Sequence, residues 1–198
     1  TEIPGQNSRN RYTKNQPPEI PAGISAVAGL PRITANEEYI KNRLELFKRR
    51  GFTKALCGNI AAVNIALDCG FSVIADIGLN IYNSASAKEA RNMGADEITL
   101  SCEMLLSDIS RLSSPVPTGI IAYGKLPLML YRCCPVKNGK SCKECGGNGT
   151  VTDRKGVVFP IQCGKTYSEM LNSVPVWLAD RKAELAPLDF LTLYFTDE

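Results

Sequence analysis

Residues 54–102, KALCGNIAAVNIALDCGFSVIADIGLNIYNSASAKEARNMGADEITLSC, alternate short apolar runs with helical stretches closed by glycine. Lys54 to Cys57 reads as a strand, Ile60 to Asp68 as a helix ending near Gly70, and Ser72 to Ile77 as a second strand. A helix over Ser84 to Met93 stops at Gly94, and Glu97 to Cys102 reads as the third strand. The rhythm continues outward, with a helix over Met104 to Leu112, a strand over Thr118 to Ala122 and an extended run over Pro127 to Arg132. Strands separated by helices of about ten residues need a right-handed crossover each time, which specifies a parallel sheet in an α/β fold. Some five such units fall short of an eightfold barrel, which takes roughly 250 residues. The expectation is therefore a partial TIM-type (β/α) barrel. A small doubly wound sheet is the alternative, but no Gly-rich phosphate fingerprint follows the first strand.

Upstream, residues 1–32 are rich in Pro, Gly, Asn and Arg without a sustained period, and are read as an extended lead-in to a folded region over 33–198. Thr34 and Glu37 form a capping-box pattern, and Tyr39, Leu44, Leu46 and Phe47 give a helical apolar face ending at Gly51. The chain begins at Thr1 and stops after the apolar run Leu188 to Phe195, so it is expected to belong to a longer polypeptide.

With 44% hydrophobic and 22% charged residues, the chain has the make-up of a globular protein able to bury one sizeable core. A net charge of +3 is too small to indicate nucleic-acid binding by itself. No charged leader with an apolar centre and no run of about 18 apolar residues occurs, so a cytoplasmic, non-membrane protein is expected.

Five of the eight cysteines fall between Cys133 and Cys163. Cys57, Cys69 and Cys102 lie in apolar, periodic segments, where a free thiol behaves as a small buried hydrophobe. In a reducing compartment the clustered set reads as a metal site rather than a disulfide framework. Seven residues separate Cys134 from Cys142, two separate Cys142 from Cys145, and seventeen separate Cys145 from Cys163. The two-residue gap brings both sulfurs of a tight turn to one centre, and Cys163 closes the shell from the next strand. An iron–sulfur cluster is the expected occupant, with zinc the alternative, because CKECGGNG also matches the C-x-x-C-x-G-x-G turn of zinc modules. Cys133 points away from its neighbour Cys134 if the strand continues, and is left out.

Arg132, Lys137, Lys140, Lys143, Arg154, Lys155 and Lys165 outnumber Glu144 and Asp153 around these cysteines. That excess offsets thiolate charge and suits an anionic substrate. Asp153, Arg154 and Lys155, in the turn DRKG before the strand Val157 to Gln162, are candidates to orient a carboxylate or phosphate beside the metal. Arg132 is a further positioning candidate. Glu103 at a strand end and Tyr123 before Gly124 sit where barrel enzymes place polar groups. Histidine is absent, which removes Ser-His-Asp, Cys-His and H-E-x-x-H sites from this chain.

The order and spacing of Ala55 to Asn59, YGKLPLM over Tyr123 to Met129, Cys134-Pro135, Cys142-x-x-Cys145, DRKG, Phe159-Pro160 and Cys163 resemble the U32 peptidase family, the collagenase-like proteases. The resemblance implies a barrel bearing cysteines on its carboxyl face. It also implies one of two activities. Some members are described as proteases, with collagen as a substrate. Others hold a four-iron, four-sulfur cluster and take part in hydroxylation of ribosomal RNA or ubiquinone precursors without added oxygen; by that likeness Cys134, Cys142, Cys145 and Cys163 are the ligands. The family's glutamate-phenylalanine signature followed by Gly and Cys does not occur here. The expected function is hydroxylation of RNA or a small aromatic substrate by an iron–sulfur enzyme. Cleavage of a peptide substrate is the first alternative and a zinc-stabilised interaction module the second.

Overall fold

The protein is described by a computed structural model covering residues 19–139, 141–147, 149–164 and 167–195. Most of the expected lead-in, together with Lys140 and Lys165, lies outside the described residues. The chain divides into two compact units. One contains the described residues of 19–122 and 178–192, and the other those of 123–177 and 193–195.

The first unit opens with strand β1 (Val27–Gly29) and helix α1 (Glu37–Arg49). Asn36 rather than Thr34 caps α1, its side chain accepting the Tyr39 N–H at 2.8 Å. Thr34 instead donates its hydroxyl to Asn59 Oδ1. Glu37 and Glu38 in the first turn and Lys48 and Arg49 in the last complement the helix dipole. Ile40 and Leu44, one turn apart, are buried. Strand β2 (Lys54–Cys57) and helix α2 (Ile60–Asp68) follow as expected, α2 starting where Asn59 Oδ1 accepts the Ala62 N–H. Then come β3 (Ser72–Ala75), α3 (Ser84–Asn92) with an Asn83/Ser86 capping box, and β4 (Ala95–Thr99). The expected helix over Met104 to Leu112 shrinks to one turn, α4 (Leu106–Ile109), because Leu105 offers no side-chain cap. Strand β5 (Thr118–Gly124) ends the series.

Strands β1 to β5 pair in chain order, and every pairing is parallel. The result is a mixed α/β architecture whose sheet curls into part of a barrel. The β3–β4 register slips between Val73 and Ile74, and Asp96 fills the gap by accepting from the Val73 N–H and the Ser72 hydroxyl. Between sheet and helices lie Leu44, Val63, Val73, Ile98 and Leu100, all essentially inaccessible. Each such side chain contributes about 1.5–3 kcal/mol on burial. Ala62, Ala66, Ala87 and Ala90 let α2 and α3 pack closely on the sheet. No helix among the described residues is long and apolar enough to cross a membrane.

Strand β6 (Pro127–Tyr131) departs from the expected series. It does not extend the parallel sheet but pairs antiparallel with a later strand. After the one-turn helix α5 (Cys142–Cys145) come β7 (Thr150–Thr152), β8 (Val158–Cys163) and β9 (Ser168–Leu171), giving a four-stranded sheet in the order β6-β9-β8-β7. Strand β10 (Val176–Trp177) pairs antiparallel with Tyr123 and Gly124. The chain then returns to the first unit through α6 (Lys182–Leu185) and β11 (Phe190–Leu193), which pairs with β5. Asp189 anchors that return, its carboxylate accepting the Thr118 N–H at 2.7 Å.

Gly78 packs directly on the backbone after β2, where an added Cβ would lie 2.3 Å from Gly58 O. Backbone cannot yield as a side chain does, so Gly78→Ala is expected to lower unfolding free energy by about 1–3 kcal/mol. Gly139→Ala, where a Cβ meets nothing within 4 Å, is expected to leave the urea midpoint almost unchanged.

Candidate metal centre

The site is built on the β8–β9 hairpin. Gly164 donates its N–H to Tyr167 O at 2.9 Å, which makes the next pair outward, Cys163 and Ser168, directly opposed. Opposed residues in a non-hydrogen-bonded antiparallel pair stand about 4.5 Å apart at Cα, with side chains on one face. On the other side of β9, Ser168 opposes Tyr131 of β6. Tyr131, Ser168 and Cys163 therefore form one row across three strands.

Cys134 leaves the end of β6 just before a 3-10 turn over Pro135–Asn138, whose Pro135 at the first position needs no N–H partner. Cys142 and Cys145 begin and end α5, three residues apart and so on one helical face. A capping box fixes this turn: Ser141 Oγ accepts the Glu144 N–H, and the Glu144 carboxylate accepts the Ser141 N–H at 2.7 Å. The Ser141 hydroxyl, which also donates to that carboxylate at 2.7 Å, and the Ser141 N–H hold the Glu144 carboxyl below its ordinary range. Gly146, left-handed at φ +59°, closes the turn.

Gly149 joins these pieces. A Cβ there would lie 2.6 Å from Val136 Cγ2 and 3.1 Å from Cys145 Sγ, so the absent side chain is what lets the turn after Cys134 and the sulfur of Cys145 close around one point. From β8, Gly149 O accepts the Ile161 N–H at 2.8 Å, two residues before Cys163. Burial pushes the Cys163 thiol pKa up; the neighbouring Cys134, by charge and by hydrogen bonding, and the charge of Cys145 push it further, while the Ser168 hydroxyl opposes them. Two of the other expected ligands, Cys134 and Cys145, thus act on Cys163. Cys142 is exposed on the same helical face as Cys145. Among the described residues, no group of three or more His, Cys, Asp or Glu stands at distances able to hold an ion. The thiols are neighbours without being drawn into a shell. The donor set fits a thiophilic group: soft sulfurs, a half-buried thiol in Cys163 and a cradle a Cβ would fill.

The remaining candidates are distributed differently. Asp153 turns the β7–β8 hairpin, its Oδ1 accepting the Lys155 and Val157 N–H groups at 2.8 and 2.9 Å, with Gly156 at φ +82°. That carboxylate is engaged in the turn. Asp153, Arg154 and Lys155 lie beyond the Val158 end of β8, whereas Cys163 ends the strand, five residues and about 17 Å away. DRKG and Cys163 thus flank opposite ends of β8. Arg132 is exposed between β6 and Cys134. Tyr123 stacks edge-on with Trp177, ring centroids 5.7 Å apart, and lies 5.4 Å from Phe195, in an aromatic cluster rather than among the thiols. Glu103 is exposed after β4 in the other unit, its N–H held by Ser101 Oγ.

Cys57 is buried, as expected of a structural thiol, and donates to Ala62 O at 3.5 Å. Cys69 is half-buried where α2 ends, and Cys102 is exposed in the loop after β4, contrary to the expected burial. Two positions were not singled out in the sequence. Gly149 is the last glycine of CKECGGNG, so the motif held its signal; Ser168 has none, because its place opposite Cys163 exists only through strand pairing.

No protein-family model, curated protein or solved structure matches this chain.

Burial pushes the Cys57 thiol from its ordinary 9.0 up to about 12, with the Asp76 charge adding to the effect. Between those values the folded chain keeps a proton that the unfolded chain loses. Stability is therefore expected to fall as pH rises through that window, by up to about 1.4 kcal/mol per unit from this group. Urea midpoints measured at pH 8 and pH 10.5 should show a shallower loss in Cys57→Ala. In native protein, iodoacetamide followed by mass spectrometry should label the exposed Cys133 and Cys142 well before Cys57.

Proposed function

We propose that the chain is a U32-type protein in which Cys134, Cys142, Cys145 and Cys163 hold a four-iron, four-sulfur cluster, and that it hydroxylates RNA or a small aromatic substrate. In this reading the curled parallel sheet is part of a TIM-type barrel and residues 133–163 are its cysteine-rich metal-binding segment. The observation that carries the proposal is the approach of Cys134 and Cys145 to Cys163, closed by the cradle at Gly149. A cluster held by such residues supplies one-electron transfer at a potential set by its charge, exposure and sulfur hydrogen bonds.

The protein's own groups have separate tasks. α5 delivers two sulfurs from one rigid turn, the end of β6 delivers Cys134, and β8 delivers Cys163. Arg132, Lys137 and Lys143 are exposed in the cysteine segment, and Arg154 and Lys155 are exposed at the far tip of β8. Positive charge spread over a strand's length suits a polyanion such as RNA better than a single small anion. Zinc in the same four sulfurs is the second reading, favoured by the short turn Cys142–Cys145 followed by Gly147 and Gly149.

Protein purified without oxygen is expected to contain iron and acid-labile sulfide in equal amounts, with broad visible absorption. Cys163→Ser and Cys142→Ser should lose both, and Cys142→Ser should also lose cooperative melting, because ligation energy at such sites is folding energy. Cys69→Ser should keep its full complement. Zinc without sulfide overturns the cluster, and protein with no metal overturns the site.

A further inference from the structure

Ser168 is buried, with 5% of its surface accessible, in β9, one of the two interior strands of the four-stranded sheet. Its pairings fix where its hydroxyl can act. Tyr131 opposes it from β6 and Cys163 from β8, in a row whose side chains share a face. Tyr131 directs its own hydroxyl to Met170 Sδ at 3.7 Å and so is engaged elsewhere. A buried serine hydroxyl must place its single hydrogen somewhere, and an unmet donor in such a site is costly. The Cys163 sulfur stands across the closest kind of antiparallel pair, next to the Gly164–Tyr167 hydrogen bond that holds the hairpin in register.

We propose that Ser168 is a positioning residue of the thiol site, donating its O–H to the Cys163 sulfur so as to aim that sulfur toward Cys134 and Cys145 and to withdraw charge from it once it is ligated. The inference rests on the reading of these cysteines as metal ligands and adds the group that orients one of them. Neutral serine suits this position. A lysine would compete with the metal for the sulfur through its full charge, and a carboxylate would repel the thiolate, whereas a hydroxyl donates without changing the charge of the site. Partners of this kind orient a ligand, raise metal affinity and shift the potential of the bound centre.

The test uses the full chain, stripped of metal and titrated with Zn²⁺ alone against a chromophoric competitor. Ser168→Ala should bind Zn²⁺ about 10-fold more weakly than the unaltered chain. The isosteric pair Ser168→Thr and Ser168→Val, both suited to a strand, isolates the hydroxyl: Thr should restore the affinity and Val should not. Protein loaded with iron and sulfide should show a more negative reduction potential in Ser168→Ala and Ser168→Val than in Ser168→Thr, because a hydrogen bond to sulfur stabilises the added electron. Equal affinity and equal potential in the Thr and Val variants overturn the role of Ser168 while leaving the metal site standing. An unaltered chain that takes up neither zinc nor iron overturns the site itself, and with it this role.

Discussion

The antiparallel pairing of β8 with β9 decides where the sulfur chemistry of this protein falls. It is set by a hairpin held through the Gly164–Tyr167 hydrogen bond. A slip of one residue would turn Cys163 to the opposite face, because side chains alternate with a period of two. The same slip would take Cys163 out of line with Ser168 and carry Ile161, now buried, toward solvent. The apolar burial of Ile161 and Leu171 therefore protects a polar arrangement that has little stability of its own.

Electrostatics then constrains what the arranged thiols can do. Sulfurs that approach one another in partly buried surroundings resist ionising together, as the raised Cys163 pKa reflects. A cation removes that resistance, since it stabilises each thiolate and screens the repulsion between them. Arg132, Lys137, Lys143, Arg154 and Lys155 are exposed and act through water, so they compensate only weakly. Glu144, the acidic residue beside the cysteines of α5, is occupied by its capping box.

Much of the first unit was legible because its signals are local. Helix α2 keeps both expected limits, since Asn59 supplies a cap acceptor and Gly70 at φ +75° supplies a stop. Strand β1 is indistinguishable from lead-in in the sequence because three residues between turn-forming neighbours are too few to show a period, and its place beside β2 comes from long-range pairing. The Thr34 pattern misled for a related reason: Asn36, nearer to the helix, wins the cap and Thr34 binds Asn59 instead. At the site, spacing within Cys142–Cys145 set one helical face directly. The distance between DRKG and Cys163 was legible too, because the strand expected over Val157 to Gln162 separates them by its extended length. The break between the parallel sheet and β6 was hidden, since Pro127–Tyr131 is as apolar as a further parallel strand would be.

The unit that carries the cysteines lies within the sequence of the other. Ala122 and Leu178, the residues on either side of the inserted stretch, are joined by the Leu178 N–H to Ala122 O hydrogen bond at 3.0 Å. A flexible loop of that length resists closure by roughly 3–4 kcal/mol of chain entropy. Whatever orders the inserted stretch, ligation included, lowers that resistance and makes it easier for β11 to reach β5. The pairing of β11 with β5 is thus coupled, through connectivity alone, to whatever orders the sulfurs of the inserted stretch.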